Sequence, residues 1–198
     1  VTLSGETSAV FHYSVNGGAS EAECNDETFT TPTTEGRHPI TAYQVDIAGN
    51  KSLWADAIEI IVDTAPPAIK SISTTAGSGS YKKGDKFTIT AEFTENVTGN
   101  ITVTLNTTTT AKVTFANITD SNTATATYTT LSGHDTNALK ANSVSGSITD
   151  TAGNNITIFD SGFANFAGKN IKIDTTAPEI SSFSMTAHSG STKTGTLN

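Results

Sequence analysis

The chain has almost none of the residues that cross-link small proteins, because it contains a single cysteine, Cys24, in 198 residues. One cysteine excludes a disulfide within the chain. Its neighbours Glu23 and Asn25 place it in acidic surroundings that disfavour a thiolate, so we expect it to be inert. Stability must therefore come from packing, from metal ions or from neighbouring modules.

Basic residues and long apolar runs are also scarce. Eleven Lys and Arg against nineteen Asp and Glu give a net charge of −8 and a pI near 4.8. With so few basic residues, the chain lacks the positive charge that would neutralise a row of nucleic-acid phosphates. This argues against a nucleic-acid partner. No segment approaches the roughly 18 consecutive apolar residues of a membrane-spanning helix. We expect neither nucleic-acid binding nor membrane insertion.

Catalytic patterns are missing as well. The four histidines are isolated from one another, and His134-Asp135 is accompanied by neither a serine in a strained glycine turn nor a reactive cysteine. Phosphate loops, dinucleotide fingerprints and zinc-ligand spacings are absent. We therefore predict that the chain is not an enzyme and has no catalytic or organic-cofactor-binding residues.

Threonine is what the chain has in excess, at 38 of its 198 residues. Thr is β-branched and suits extended backbone with a polar outer face. Apolar and polar residues alternate in Phe87–Phe93, Ile101–Leu105 and Thr123–Tyr128, which predicts half-buried strands. Glycine-containing turn signals, including Gly99-Asn100, separate these segments. The pattern predicts an all-β fold of antiparallel sandwiches of immunoglobulin (Ig) type.

Two short sequence motifs, or phrases, each occur twice in the chain. Asp63-Thr64-Ala65-Pro66 returns as Asp174-Thr175-Thr176-Ala177-Pro178, and Asp46-Ile47-Ala48-Gly49-Asn50 returns as Asp150-Thr151-Ala152-Gly153-Asn154. Asp63 and Asp174 lie 111 positions apart, which is about the length of one small domain. We therefore predict two tandem domains and the start of a third: residues 1–63 (lacking a first strand), a Pro-rich linker at 64–67, a longer domain at 68–174, and a linker with an opening strand at 175–198.

The order of these phrases resembles the bacterial Ig-like tandem repeats, similar to cadherin and fibronectin type III domains, of large surface proteins and adhesins. The resemblance is carried by these segments: Phe11–Gly18, Glu35–His38, Val45–Asn50, Val62–Pro66, Phe93–Val97, Asp150–Asn154 and Asp174–Pro178. It implies an extracellular location, on the cell surface or secreted, and a structural or adhesive role. The implied partners are neighbouring repeats of the same protein or other copies of it, and a glycan or protein receptor on a host or surface.

The acidic residues of the repeated phrases predict a metal site. If strands of the longer domain alternate in direction, Glu95 and the turn at Asp150 lie beside Asp63, with Asn154 close by. Oxygen ligands without His or Cys suit Ca²⁺. Asp63, Glu95, Asp150 and Asn154 are thus the candidate ligands, in a layout similar to cadherins, where calcium stiffens the joint. Alternatively, these aspartates only accept backbone hydrogen bonds in tight turns.

The corresponding residues at the outer ends are Asp46 with Asn50, and Asp174. We expect them to face units that this chain lacks, so that their sites are incomplete. The segment from Ile180 onward runs in step with the segment from Ile69, which makes it an opening strand or a donor strand for another copy.

An aromatic insertion supplies the candidate ligand contacts, Phe159, Phe163 and Phe166. They predict either an exposed platform for a glycan or protein, or a short helical turn that packs one apolar face on the sandwich. Three functions thus stay open: a calcium-stiffened stalk, a surface filament joined by strand donation from the C-terminal tail, and an accessory carbohydrate-binding module of a secreted enzyme.

Overall fold

The computed structural model describes residues 3–17, 22–24, 31–156 and 165–184. These residues form ten β-strands and one short 3-10 helix, and the all-β fold predicted from the alternation is confirmed. The strands are β1 Val10–Val15, β2 Ala22–Cys24, β3 Gly36–Val45, β4 Ile58–Val62, β5 Ile69–Thr74, β6 Gly79–Tyr81, β7 Lys86–Leu105, β8 Lys112–Thr129, β9 Ala141–Thr149 and β10 Ile171–Ile173, and the 3-10 helix spans Asn165–Gly168. Within the described ranges, no helix has the length and apolar character needed to cross a membrane.

The N-terminal sheet consists of β1 to β4 in the order β2-β1-β3-β4, with every pair antiparallel. Asn16 and Gly17, which follow β1, have φ of 58° and 61°, left-handed values that Asn and Gly adopt more readily than other residues. Phe11, Ile40 and Ala42 lie on one face of the sheet and are at most 7% exposed. This face provides the apolar packing of the first four strands.

The C-terminal strands, β5 to β10, enclose the main apolar core. The long strand β7 pairs with β5 and β8 through its first half and with β8 and β9 through its second half. Apolar side chains from these strands meet in one cluster, against which Tyr81 of β6 packs; its most buried large members include Phe93, Phe115, Ile101, Ile148 and Ile171. Strands β6 and β10 form a separate parallel pair. The antiparallel layers around one core are consistent with a sandwich.

The prediction of a turn at Gly99-Asn100 was wrong, because both residues lie inside the continuous strand β7. Gly99 has φ of +137°, and the pairing of β7 shifts register on both sides of it. A Cβ at Gly99 would lie 2.2 Å from the carbonyl oxygen of Ser147 in β9. Gly146 makes the matching approach from β9, where a Cβ would lie 2.3 Å from the Asn100 carbonyl oxygen. The glycine therefore marks a bulge with close strand contact, not a chain reversal.

Candidate metal centre

The segment after β4 holds Asp63 in a defined conformation. Its carboxylate accepts a hydrogen bond from the Ala65 amide at 3.1 Å, which makes a local turn ahead of Pro66. The amide and hydroxyl of Thr64 both donate to Glu35, at 2.8 and 2.7 Å. These bonds, from the Thr64 hydroxyl first and the amide second, lower the pKa of Glu35. Thr64, the residue after Asp63, is thus tied to Glu35, the residue before β3.

The turn after β9 holds the second carboxylate. Asp150 accepts 2.8 Å hydrogen bonds from the backbone amide and the side-chain amide of Asn154, and Gly153 supplies the positive φ of +95°. Burial by itself would raise the pKa of Asp150, but the hydrogen bonds from Asn154 and Gly153 outweigh it and the pKa is lowered. Asp150 is therefore a buried, ionised and well-oriented group.

Asn154 also connects this turn to the segment after β4. Its side-chain nitrogen donates to the Asp63 carbonyl oxygen at 2.9 Å, across 91 positions of sequence. The same nitrogen donates to Asp150, so both of its hydrogens are used within the protein. The structure places Asn154 as the group that positions Asp150 against Asp63, and its role as a metal ligand stays a prediction.

Glu95 completes the cluster from the irregular part of β7, where the register shifts between Glu92 and Val97. Oxygen atoms of Asp63, Glu95 and Asp150 all lie within 4.8 Å of one another. Two oxygens bound to the same Ca²⁺ at 2.3–2.6 Å lie at most about 5 Å apart. The three carboxylates therefore lie close enough together to contact one cation.

The electrostatics of Glu95 differ from those of its neighbours. Burial raises the pKa of Glu95, and the negative charges of Asp63, Asp150 and Glu35 raise it further. Within the described ranges, no group donates a hydrogen bond to its carboxylate. The turn interpretation accounts for Asp63 and Asp150, which do accept backbone hydrogen bonds, but it leaves Glu95 unexplained.

Sequence reasoning missed Glu35, which contributes negative charge to the same site. Its counterpart is Asp135, which accepts hydrogen bonds from the Thr175 amide at 2.6 Å and hydroxyl at 3.0 Å, just as Glu35 does from Thr64. These bonds, the Thr175 amide first, lower the pKa of Asp135. The signal was present in the repeat, but unequal loops separate the acid from its threonine in the two halves.

The turns at Asp46 and Asp174 have the same local hydrogen bonds as the turns at Asp150 and Asp63. Asn50 donates to Asp46 from its amide at 2.8 Å and from its side chain at 2.7 Å, which reproduces the turn at Asp150. The Thr176 amide donates to Asp174 at 3.3 Å, as Ala65 does to Asp63. In the part of the chain that the structure describes, Asp63, Glu95 and Asp150 are the only three acidic side chains that lie close enough together to hold one ion.

The predicted aromatic platform is not supported at the position that can be assessed. Phe166 is 1% exposed and packs in the main core from the 3-10 helix, so it offers no surface to a ligand. Phe166 therefore agrees with the second alternative, in which the insertion packs an apolar face on the sandwich. Phe159 and Phe163 lie outside the described residues.

His134 has a structural role. Its Nδ1 accepts from the Leu131 amide at 3.2 Å and lies 2.8 Å from the Tyr128 hydroxyl, and the residue is 8% exposed. Burial lowers the pKa of His134, which the nearby Asp135 partly offsets. The residue holds its loop as a neutral imidazole.

Comparison with models of known protein families finds no match. A search of curated proteins likewise finds no match.

Proposed function

We propose that the chain is a non-enzymatic segment of an extracellular tandem array of Ig-like units, a structural or adhesive stalk whose joints are stiffened by calcium. The observation that carries this proposal is the meeting of Asp63, Glu95 and Asp150 within 4.8 Å. These residues come from three distant parts of the chain, at the boundary between the two repeats. The units are residues 1–63 and 68–174, and residues 175–198 begin the next unit.

The mechanism is mechanical. Without a cation, three carboxylates at this distance repel one another and push the boundary open. A bound Ca²⁺ reverses the sign of the interaction and holds the Asp63 segment against the ends of β7 and β9. Pro66 and Pro67 limit the available conformations because proline fixes its own φ and biases the preceding residue toward extended backbone. The linker therefore allows few relative orientations of the two units, and a bound ion would stabilise one of them.

The non-enzymatic role is supported by how the titratable groups are used. His134 and Asp135, the pair closest to a catalytic pattern, are both engaged in holding loops. The carbohydrate-binding alternative loses the support of Phe166, which is in the core. The extracellular location rests on the acidic, nearly cysteine-free composition and on the resemblance to surface repeats.

The test is small-angle X-ray scattering of the whole chain with calcium and with chelator. We expect calcium to narrow the range of shapes and lengthen the particle, because it restricts the joint. A double variant, Asp63→Asn with Glu95→Gln, should lose this response. Asp174→Asn is the matched control, since it changes the same residue of the repeat outside the cluster, and it should respond like the wild type.

An unchanged scattering profile of the wild-type chain in calcium and in chelator would refute the stiffened joint. A response that the double variant retains would place the ion elsewhere.

A further inference from the structure

The loop after β8 holds Thr175, the first residue of the linker predicted after β10. The Thr175 amide and hydroxyl donate to the Asp135 carboxylate at 2.6 and 3.0 Å, and the same hydroxyl accepts from the Gly133 amide at 3.0 Å. We call this arrangement of Gly133, Asp135 and Thr175 the clasp. The two loop residues that hold Thr175 are therefore the two neighbours of His134 in the sequence.

His134 takes part in the hydrogen bonding of the loop. Its amide donates to the Leu131 carbonyl at 3.1 Å, which closes a turn, and its Nδ1 accepts from the Leu131 amide at 3.2 Å. A backbone amide only donates, so Nδ1 carries no hydrogen and the neutral ring has its hydrogen on Nε2. The Tyr128 hydroxyl, 2.8 Å from the same Nδ1, is then a second donor. The turn therefore requires the neutral form of His134.

Protonation of His134 adds a hydrogen to Nδ1, the atom that both donors face. The Tyr128 hydroxyl can rotate and accept instead, but the Leu131 amide cannot. A donor would then face a donor across 3.2 Å, and His134 is only 8% exposed, so water does not readily replace the lost bond. The charged ring must leave this position, or the turn that begins at Leu131 must open.

An opening of the turn reaches the clasp directly. Gly133 lies inside the turn from Leu131 to His134, with a φ of +83°. Its amide is the donor to the Thr175 hydroxyl, so a change in the turn reorients that donor. Asp135 is the next residue, and its carboxylate accepts the other two bonds from Thr175. All three bonds of the clasp therefore depend on the backbone on either side of His134.

We propose that protonation of His134 opens the clasp, so that acid releases the linker at Thr175. The inference goes beyond the calcium joint, because neither the clasp nor His134 belongs to the cluster of carboxylates that would hold the ion. In a tandem array, a linker held at neutral pH and released in acid would make the stalk more flexible as the pH falls. That consequence rests on the proposed function, whereas the opening of the clasp does not.

The nearest titratable groups set the direction of the response. Asp135, in the same loop, favours the protonated ring, but burial outweighs it and the pKa of His134 is lowered. Tyr128, on β8, is buried as well, which raises the pKa of its hydroxyl and keeps it neutral. The clasp should therefore be closed at neutral pH and should open below about pH 6.5.

Charged groups on the other elements around the loop come in pairs of opposite sign. The turn between β6 and β7 packs on Thr130 through two backbone carbonyls, and two side chains of β10 and the following residue line the same cavity as Asp135. These pairs are Lys82 with Asp85, and Lys172 with Asp174. Because each pair has no net charge, it leaves the balance between burial and Asp135 in place.

The equivalent bonds at Thr64 provide an internal control. Thr64 donates its amide and its hydroxyl to Glu35 at 2.8 and 2.7 Å. A histidine also lies beside this pair: Nε2 of His38 is 2.7 Å from the Thr34 carbonyl oxygen, and its Nδ1 is 3.2 Å from the side-chain nitrogen of Asn16. A side-chain amide can rotate and present its oxygen to a protonated ring, which a backbone amide cannot do. This pair should therefore persist at the pH that opens the clasp.

Hydrogen exchange of the Thr175 and Thr64 amides, followed by NMR on the full chain in chelator, tests the proposal. After correction for the intrinsic effect of pH on exchange, the protection of Thr175 should fall at least about tenfold between about pH 7.5 and about pH 5. The midpoint should coincide with the titration of the His134 ring, and Thr64 should stay protected. The pKa of Asp135 is lowered, so its carboxylate stays ionised over this range and does not cause the change.

His134→Gln should abolish the pH response of Thr175, and Asp135→Asn should leave the Thr175 amide unprotected at every pH. His12→Gln is the matched control, since it removes a histidine of β1, and it should respond like the wild type. If His134→Gln does not fold, the comparison of midpoints in the wild-type chain still decides. A Thr175 midpoint different from that of His134, an equal loss at Thr64, or a response that His134→Gln retains would each overturn the proposal. Because chelator is present throughout, none of these outcomes bears on the calcium joint.

Discussion

The metal centre predicts that Glu95→Gln changes stability with opposite sign in chelator and in calcium. The substitution removes one charge and keeps the size of the side chain. Glu95 faces two ionised neighbours, Asp63 and Asp150, with oxygens within 4.8 Å. At that distance each repulsion is about 0.9 kcal/mol in water, and screening at physiological salt reduces the sum for both to about 1 kcal/mol. In chelator the variant should therefore be more stable than the wild type by about 1 kcal/mol.

Calcium reverses the order because Glu95 is then a ligand. A ligand at one hundred times its dissociation constant stabilises the folded chain by about 2.7 kcal/mol, and a variant that binds weakly loses most of that gain. Urea unfolding followed by circular dichroism, in calcium and in chelator, measures both differences. Glu179→Gln is the control, since it removes an exposed charge away from the cluster and should show no reversal.

The dependence of the unfolding free energy on pH provides a second test of the role of Glu95. Burial and the neighbouring carboxylates raise the pKa of Glu95, so the folded chain holds this proton more tightly than the unfolded chain. In chelator, its contribution to stability therefore falls as pH rises from about 4.5 through the raised pKa. Glu95→Gln should remove that slope. If the variant is less stable than the wild type in chelator, or if calcium affects both equally, the reasoning is refuted.

Two further predictions concern folding of the C-terminal strands. Because burial lowers the pKa of His134, the folded chain takes up this proton less readily than the unfolded chain, so unfolding free energy should fall as pH drops below about 6.5. His134→Gln should flatten that part of a urea-unfolding profile measured against pH; an unchanged slope would contradict it. Gly146→Ala should cost at least about 2 kcal/mol in thermal unfolding, because its Cβ would meet the Asn100 carbonyl at a positive φ. Gly77→Ala, with open space around the added Cβ, should be nearly neutral, and equal losses would refute the argument.

Much of the strand pattern was predictable because alternation is a local property. The predicted strands Phe87–Phe93 and Ile101–Leu105 both lie in β7, and the predicted strand Thr123–Tyr128 lies in β8. The continuity of β7 was not predictable, since a glycine at a bulge and a glycine at a turn have the same local signature. Only the partner strand, through the contact of Gly99 with Ser147, distinguishes the two.

Some features of the candidate site were likewise predictable from the sequence, and others were not. The repeat identified Asp63 and Asp150, and the alternating strand directions predicted that Glu95 would join them. Glu35 was not predicted because its hydrogen-bond partner, Thr64, is 29 positions away in the sequence, and no motif defines such a separation. The burial of Phe166 was likewise one of two open alternatives, since a spacing pattern does not reveal whether another layer covers it.

By itself, the sequence determined the all-β class and the repeated turns that contain Asp63 and Asp150, because each depends on residues close together in the chain. The tertiary structure decided which groups meet and how far apart their oxygens lie. Those properties depend on chain segments far apart in sequence. The 4.8 Å cluster is therefore visible only once β4, β7 and β9 have been placed.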